Sequence, residues 1–179
     1  MSAILDALNK EHIDLARLLV VVEQQLDALE QNQPVDYELI DLVLDYCQSY
    51  PDRFHHPKED LVLQKMKERN PTTANTFDTL EAEHRLINDE TALFAEMINL
   101  VEQDSQVPRA QVVETGRAFI ALYRRHMSFE QEAFFPQAAR TLSEEDWAEI
   151  DRHLEQPDDP LYSGEAEAQY KRLADIINA

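Results

Sequence analysis

The chain contains only two glycines among its 179 residues, and it has no alternating run of β-branched residues. Hairpin turns depend on glycine and strands on alternation, so both shortages weigh against a fold built from β-strands. The abundance of Leu, Ala, Glu, Gln and Asp favours helices instead. An apolar content of 44% is enough for a packed core, and the length fits one domain with or without a small appendage.

Basic residues are also scarce, with 16 Lys and Arg against 36 Asp and Glu, which gives a net charge of −20. Repulsion therefore excludes nucleic acids and anionic membrane surfaces as expected partners. Cys47 has no second cysteine with which to form an internal disulfide, which fits a reducing compartment and predicts a cytoplasmic protein. The opening "MSAILDALNKEH" is charged and amphipathic, unlike a signal peptide, and no apolar run approaches the about 20 residues of a membrane span.

Apolar residues recur with helical spacing in four long segments, at about 2–31, 36–69, 73–103 and 109–140. Pro51 and Pro57 predict a break or kink in the second segment, and Pro136 predicts a bend or an end in the last turns of the fourth. The connections "NQP", "NPTT" and "DSQVP" are short. The sequence therefore predicts an all-α fold, an antiparallel up-down four-helix bundle over residues 1–140.

Residues 141–179 are predicted to form a C-terminal helical extension packed on the bundle. "SEED", beginning at Ser143, is a capping-box pattern and starts a short helix. The loop "QPDDPLYSG" follows, and then a terminal amphipathic helix over about 165–177. This extension could cover one end of the bundle or form the contact of a homodimer, and the sequence leaves both open.

Five of the six histidines lie on the apolar seams of the four predicted helices. A single seam histidine is more often a hydrogen-bonded core residue than a ligand. Burying several imidazoles and carboxylates together without partners would cost several kcal/mol, however, and a metal site removes that cost. The five inward histidines are His12, His55, His56, His84 and His126.

Two H-x-x-x-E units supply the carboxylates of this site. His55 and Glu59 lie in "FHHPKEDLVL", and His126 and Glu130 lie in "RHMSFEQEAFFP". A spacing of four residues places both side chains of a unit on one helix face. His56 and Asp60 have the same spacing, but that pairing leaves His55 without a counterpart, so we prefer His55 with Glu59.

Five imidazoles and two carboxylates exceed the needs of one tetrahedral zinc ion, and the thiolates of an iron–sulfur site are missing. The set suits two iron ions bridged by carboxylates. Two octahedral ions offer about twelve coordination positions. Two bridging glutamates, five histidines and one bridging oxo or hydroxo group leave about one position open, which suits a small diatomic molecule or a peroxide.

The order of these residues resembles the hemerythrin-like, or HHE cation-binding, family over about residues 5–140. "FHHPKED" and the spacing of "HMSFEQEAFFP" are quite specific to that family. The resemblance implies that Glu59 and Glu130 bridge two irons. It also implies that His12 and His55 bind one iron, and that the other is bound by His56, His84 and His126.

The chain departs from the blood-worm hemerythrins at two points. Those proteins have a histidine pair four residues apart on the third helix, and an aspartate as the last bridge. Here Leu80 and Asn88 stand four residues on either side of His84, so no such pair exists. His56 would take the missing place, as in some bacterial and ubiquitin-ligase relatives.

Several other residues with reactive side chains are expected to lie outside the ligand set. Glu81 has the E-x-x-H spacing of ferritin-type sites, but Tyr123 stands where the fourth helix would need the second glutamate. His153 is expected on the surface, and Cys47 as a small buried residue. Three tyrosines could donate hydrogen bonds into the pocket or belong to the core: Tyr46, Tyr50 and Tyr123.

These features predict a non-haem di-iron protein that binds O2, NO or peroxide at an open iron position. A di-iron enzyme with peroxidase, NO-detoxifying or oxidase activity is the first alternative. An iron or oxygen sensor acting through a partner protein is the second. The chain shows no nucleophile triad, phosphate-binding loop or nucleotide fingerprint that would indicate another chemistry.

Overall fold

The computed structural model describes residues 2–103, 105–154, 159–161 and 169–178, and within these ranges the chain is helical without any strand. This confirms the all-α prediction. The α-helices are α1 (Ala3–Glu30), α2 (Tyr37–Ser49), α3 (His56–Arg69), α4 (Pro71–Ala74), α5 (Leu80–Glu102), α6 (Arg109–Phe129), α7 (Phe135–Thr141), α8 (Glu144–His153) and α9 (Lys171–Ile177).

Short polar side chains begin four of these helices, including α4, where the Asn70 side chain accepts a hydrogen bond from the Thr73 amide at 3.2 Å. The Ser2 hydroxyl accepts a hydrogen bond from the Ile4 amide at 3.2 Å, and the Asp36 carboxylate accepts one from the Leu39 amide at 3.0 Å. Ser143 and Asp146 form the expected reciprocal capping box at the start of α8. Each cap satisfies amide groups that a helix N-terminus leaves without partners.

Two π-turns join helices across the prolines that the sequence flagged. Pro51–His55 connects α2 to α3, and Glu130–Phe134 connects α6 to α7. Pro57 and Pro136 follow in the first turns of α3 and α7. A proline lacks an N–H group and its ring collides with the carbonyl four residues back, a conflict that a wider turn relieves. The expected interruptions are therefore π-turns.

The third helix begins later than the sequence predicted. Residues expected to open a helix at about 73 instead form α4 and a 3-10 turn, Asn75–Phe77, and α5 starts only at Leu80. The threonine-rich segment has low helix propensity, and the Thr76 hydroxyl donates to the Thr73 carbonyl at 2.7 Å. Phe77 is buried there against Phe129 and Phe134.

The long helices pack in neighbouring pairs: α1 on α6 and on α2, and α5 on α2 and on α6. Polar contacts between α1 and α6 run in opposite order along the two helices. Glu23 pairs with Arg124, while Asp27, later in α1, pairs with the earlier Arg117. These two helices are therefore antiparallel.

The core consists of two apolar clusters separated along the helices. On α1 the first cluster contains Leu5 and Leu8, and the second begins at Leu15. On α5 Leu80 belongs to the first cluster and Ile87 to the second. Between the clusters, polar residues enter the interior from α1, α3, α5 and α6 and from the two π-turns, so the molecule has a buried polar layer between two apolar ones.

The C-terminal extension packs on the helices described above. Ile150 of α8 is buried in the first cluster, and Lys65 of α3 donates to Glu149 at 2.7 Å. Leu173 of α9 is buried in the second cluster, and the Arg17 guanidinium donates to the Ile177 carbonyl at 2.5 Å. The predicted terminal helix begins at Lys171, and residues 165–168 lie outside the described part of the chain. The division into domains at residue 140 stays a prediction.

No helix in the described ranges is long and apolar enough to cross a membrane.

We predict that Asp146→Asn destabilises the protein at neutral pH. The Arg69 guanidinium donates to the Asp146 carboxylate at 2.6 and 2.8 Å, and losing this charged contact should cost about 1–2 kcal/mol in urea unfolding. The same contact lowers the pKa of Asp146 to about 2. The stabilisation is therefore complete above the ordinary pKa of 3.8 and disappears as the pH falls toward 2. Glu144→Gln, at an exposed position of the same turn, is the matched control and should change stability little.

Candidate metal centre

The seven residues predicted from the sequence lie together in the buried polar layer. α1 contributes His12, the first π-turn and α3 contribute His55, His56 and Glu59, α5 contributes His84, and α6 with the second π-turn contributes His126 and Glu130. Each of the seven residues is at most 4% exposed. Five imidazoles and two carboxylates thus meet at one level inside the protein.

The side chains form three groups in which one possible ligand atom from each member lies within 4.8 Å of the others. The first group contains His12, His55, Glu59 and Glu130. The second contains Glu59, His84, His126 and Glu130. The third contains His56, His84 and His126. The two glutamates belong to both four-membered groups.

Glu59 presents its two oxygens to different histidines. Its Oε1 lies 3.2 Å from His55 Nε2 and 3.7 Å from His12 Nε2. Its Oε2 lies 3.3 Å from His84 Nε2. The carboxylate therefore faces one histidine group with each oxygen, which is the orientation of a bridging ligand.

Glu130 repeats this arrangement from the opposite π-turn. Its Oε2 lies 3.4 Å from His12 Nε2, and its Oε1 lies 3.2 Å from His126 Nε2 and 3.5 Å from His84 Nε2. The four-residue spacing of both H-x-x-x-E units places the acid beside its own histidine. Packing of the helices then places both acids beside His12 and His84, which belong to neither unit.

The layer contains buried polar atoms that have no hydrogen-bond partner. Both oxygens of Glu59 and of Glu130 are in this condition, as are Nε2 of His84 and of His126. Such atoms each cost free energy when nothing coordinates them. Cations at the centre would coordinate these inward-facing atoms, so the donor set fits metal ions bound between the two glutamates.

Three further carboxylates contact histidines of the cage at Nδ1, the ring nitrogen that faces away from the centre. Glu11 lies 2.5 Å from His55 Nδ1, and Asp60 lies 3.0 Å from His84 Nδ1. Glu83 lies 3.4 Å from His126 Nδ1. A carboxylate at Nδ1 fixes the ring orientation and leaves Nε2 free to bind a cation.

Sequence reasoning missed Glu11 and Glu83, and it weighed Asp60 only as a possible partner of His56. Each is adjacent in the sequence to a residue of the predicted set, but each supports a histidine of another helix. Glu11 adjoins His12 yet contacts His55, and Glu83 adjoins His84 yet contacts His126. Adjacency to a residue of the predicted set was the available signal, while the histidine that each acid contacts depends on helix packing.

Glu11 is the centre of a buried polar cluster with partners from the second helical segment. Its Oε1 accepts hydrogen bonds from Lys58 Nζ at 2.8 Å and from the Tyr50 hydroxyl at 3.2 Å. Burial alone would raise the pKa of Glu11. The hydrogen bond from His55 and the charges of His55 and Lys58 outweigh burial and lower that pKa to about 2. Glu11 is therefore a carboxylate at neutral pH.

Histidines that face several carboxylates hold protons firmly when no cation is present. Burial opposes the protonation of His84, but contacts with Asp60, Glu130 and Glu59 outweigh it and raise the pKa to about 11. Burial likewise opposes protonation of His55, and its neighbouring carboxylates raise the pKa to about 10. Cations binding at Nε2 must displace such protons.

The remaining candidates lie where the sequence placed them. Glu81 is exposed and contacts Lys67 at 3.4 Å, and His153 is exposed on α8. Cys47 is 1% exposed, and burial raises the pKa of its thiol to about 12. The tyrosines lie in the core, where the Tyr50 hydroxyl reaches Glu11 rather than the centre.

The fold and this site define a helical protein with a buried histidine–carboxylate cage for cations. The family model of the hemerythrin HHE cation binding domain matches residues 3–138. The chain belongs to that family, which confirms the resemblance found in the sequence. Comparison with curated proteins and with solved structures gives no significant match.

We predict that Glu11→Gln destabilises the protein by about 3 kcal/mol in chemical unfolding, because it leaves the buried Lys58 ammonium without its countercharge. Glu83→Gln is the matched control, since Glu83 is half-buried and lies 3.4 Å from its histidine. Its cost should stay below about 1 kcal/mol. Equal losses for the two variants would contradict the central position assigned to Glu11.

Proposed function

We propose that the cage holds two iron ions and that the protein binds a small oxidant, O2, NO or peroxide, at an open iron position. The observation that carries this proposal is the division of each glutamate between two histidine groups. Glu59 and Glu130 would bridge the ions, His12 and His55 would hold one, and the other would be held by His56, His84 and His126. Family membership supports a cation at this site, and the donor set favours iron.

The chemistry of the donors decides between metals. Structural zinc takes four ligands in a closed tetrahedron, whereas seven residues converge here. Calcium and magnesium prefer oxygen ligands, and five of the seven donors are imidazoles. A pair of irons, when bound, supplies reversible one-electron chemistry and a position for the oxidant.

The protein's own residues shape the environment of that position. Phe135 stacks on His12 with ring centroids 5.4 Å apart, and the apolar clusters enclose the cage on both sides. Such surroundings exclude bulk water and strengthen electrostatic interactions inside the cage. Glu11, Asp60 and Glu83 would hold three imidazoles in the orientation that presents Nε2 to the ions.

We also propose that the helical segments form the antiparallel up-down bundle expected from the sequence. Polar contacts support it for the second and third segments as well as for α1 with α6. Asp60 of α3 contacts His84 of α5, while Lys67, later in α3, contacts Glu81, earlier in α5. This opposite order is what brings the histidines of all four segments, two of them from the second, to a single level.

Catalysis at the same cage is the second candidate function, and the cluster around Glu11 favours it. Lys58 and Tyr50 both donate to Glu11, which contacts His55. A hydrogen-bonded group of this kind can supply protons to a reaction in the cage. Reduction of peroxide consumes protons, so a peroxidase activity is the form of catalysis that this feature fits best.

The direct test of the proposal is metal content after loading with ferrous iron under anaerobic conditions. We expect two irons per chain in the unaltered protein, measured by elemental analysis after gel filtration. Glu59→Ala and His126→Ala should each abolish stoichiometric iron binding, because each removes a donor from the centre of the cage. Absorption in the near ultraviolet after exposure to air should accompany the bound iron.

His153→Ala is the control, since this exposed histidine of α8 lies outside the cage. It should bind iron as the unaltered protein does. Equal iron content in the two cage variants and the control would refute the assignment of the site. Circular dichroism of each metal-free variant separates loss of a ligand from loss of the fold.

A further inference from the structure

Three buried tyrosines form a continuous stack beside the cage. Tyr46 and Tyr50, four residues apart at the end of α2, lie with ring centroids 6.1 Å apart and planes 14° from parallel. Tyr170, from the C-terminal extension, meets Tyr46 edge-on with centroids 5.8 Å apart. All three rings are less than 8% exposed. These spacings are those of aromatic rings in contact.

Each phenol in the stack donates its hydrogen bond to a different carboxylate. Tyr50 donates to Glu11 at 3.2 Å, and Tyr46 to Asp159 at 3.2 Å. Tyr170 donates to Asp45 at 2.6 Å. A phenol loses its proton when it is oxidised by one electron at neutral pH, so a base already in place lowers the barrier to that oxidation.

The two ends of the stack face different surroundings. At the inner end, Tyr50 is connected to the cage through Glu11, which contacts His55 Nδ1. At the outer end, Asp45 and the neighbouring Gln169 border a surface groove that also includes Arg172. The stack thus runs from the back of one cage histidine to the surface of the protein.

We infer that Tyr50, Tyr46 and Tyr170 conduct electrons between the cage and the surface groove. This inference rests on the proposed di-iron function and specifies a reaction for it, the reduction of hydrogen peroxide to two molecules of water. That reduction requires two electrons and two protons. A hydroquinone at the groove would supply both electrons, one at a time, and would release the two protons as it becomes a quinone.

In each transfer along the stack, the charge at the tyrosine stays balanced because an electron and a proton leave it together. A tyrosine gives one electron toward the cage while its phenolic proton moves to its own carboxylate. It regains an electron from the next tyrosine outward, and its proton returns. When the bound iron is already ferric and no reductant is present, the tyrosines themselves supply the two electrons and remain as phenoxyl radicals. The burial of Tyr46 and the charge of Asp159 raise its pKa, so the phenol holds its proton until it is oxidised.

The test uses the full chain loaded with iron, oxidised in air so that the iron is ferric, and then mixed with one equivalent of hydrogen peroxide without reductant. Frozen samples are examined for tyrosyl radicals by electron paramagnetic resonance, and digested samples for oxidised tyrosine by mass spectrometry. We expect a radical signal and oxidation of Tyr170. Tyr46→Phe should abolish oxidation of Tyr170 while leaving Tyr50 oxidised, because phenylalanine keeps the ring but cannot be oxidised at this potential.

Tyr37→Phe, at the first residue of the same helix, is the matched control and should leave Tyr170 oxidation unchanged. Tyr170→Phe provides a second variant, which should slow the consumption of a neutral hydroquinone without changing iron content. Two bound irons together with unchanged Tyr170 oxidation in Tyr46→Phe would overturn the electron path alone. Equal tyrosine oxidation in protein without iron would also overturn it. Failure of the unaltered protein to bind iron would overturn the proposed function and the path with it.

Discussion

The structure depends on burying two carboxylates and five imidazoles at one level of a helical core. The two apolar clusters on either side remove this layer from water, and both glutamates are fully buried. Carboxylates in such a position are stable only when positive charge faces them. Protons on His55 and His84 can supply that charge, as can cations, and the four oxygens without hydrogen-bond partners indicate cations.

The two π-turns connect the prolines of the sequence to the geometry of the cage. Each lies at one of the H-x-x-x-E units: the first ends at His55, and the second begins at Glu130. A π-turn adds a residue to the helical turn and changes the direction of the side chains that follow. Pro57 and Pro136 make the regular helix unfavourable at these places. The prolines thereby favour the local backbone that turns these residues of the cage inward.

Residues outside the cage connect it through hydrogen bonds and ring contacts to the C-terminal extension. Glu11 contacts a cage histidine, a lysine and a tyrosine, and the tyrosine belongs to a stack that reaches the C-terminal extension. The extension is therefore more than a cover for the bundle. Asp159 and Tyr170 both contact Tyr46, so the described part of the tail completes the surroundings of the stack.

The sequence by itself predicted the helical class and the seven residues of the cage, because helical spacing puts one face of each segment inward regardless of its neighbours. The family came from the resemblance of its two histidine motifs to those of the family. The sequence also located the prolines, though not the π-turns or the late start of α5, which depend on how Phe77 and the two proline segments pack. Only the tertiary structure decided that Glu11 supports His55, that Asp60 supports His84 and that Tyr170 packs edge-on against Tyr46. These pairs join residues distant in sequence, and their partners follow from which helix faces meet, a choice that local spacing does not encode.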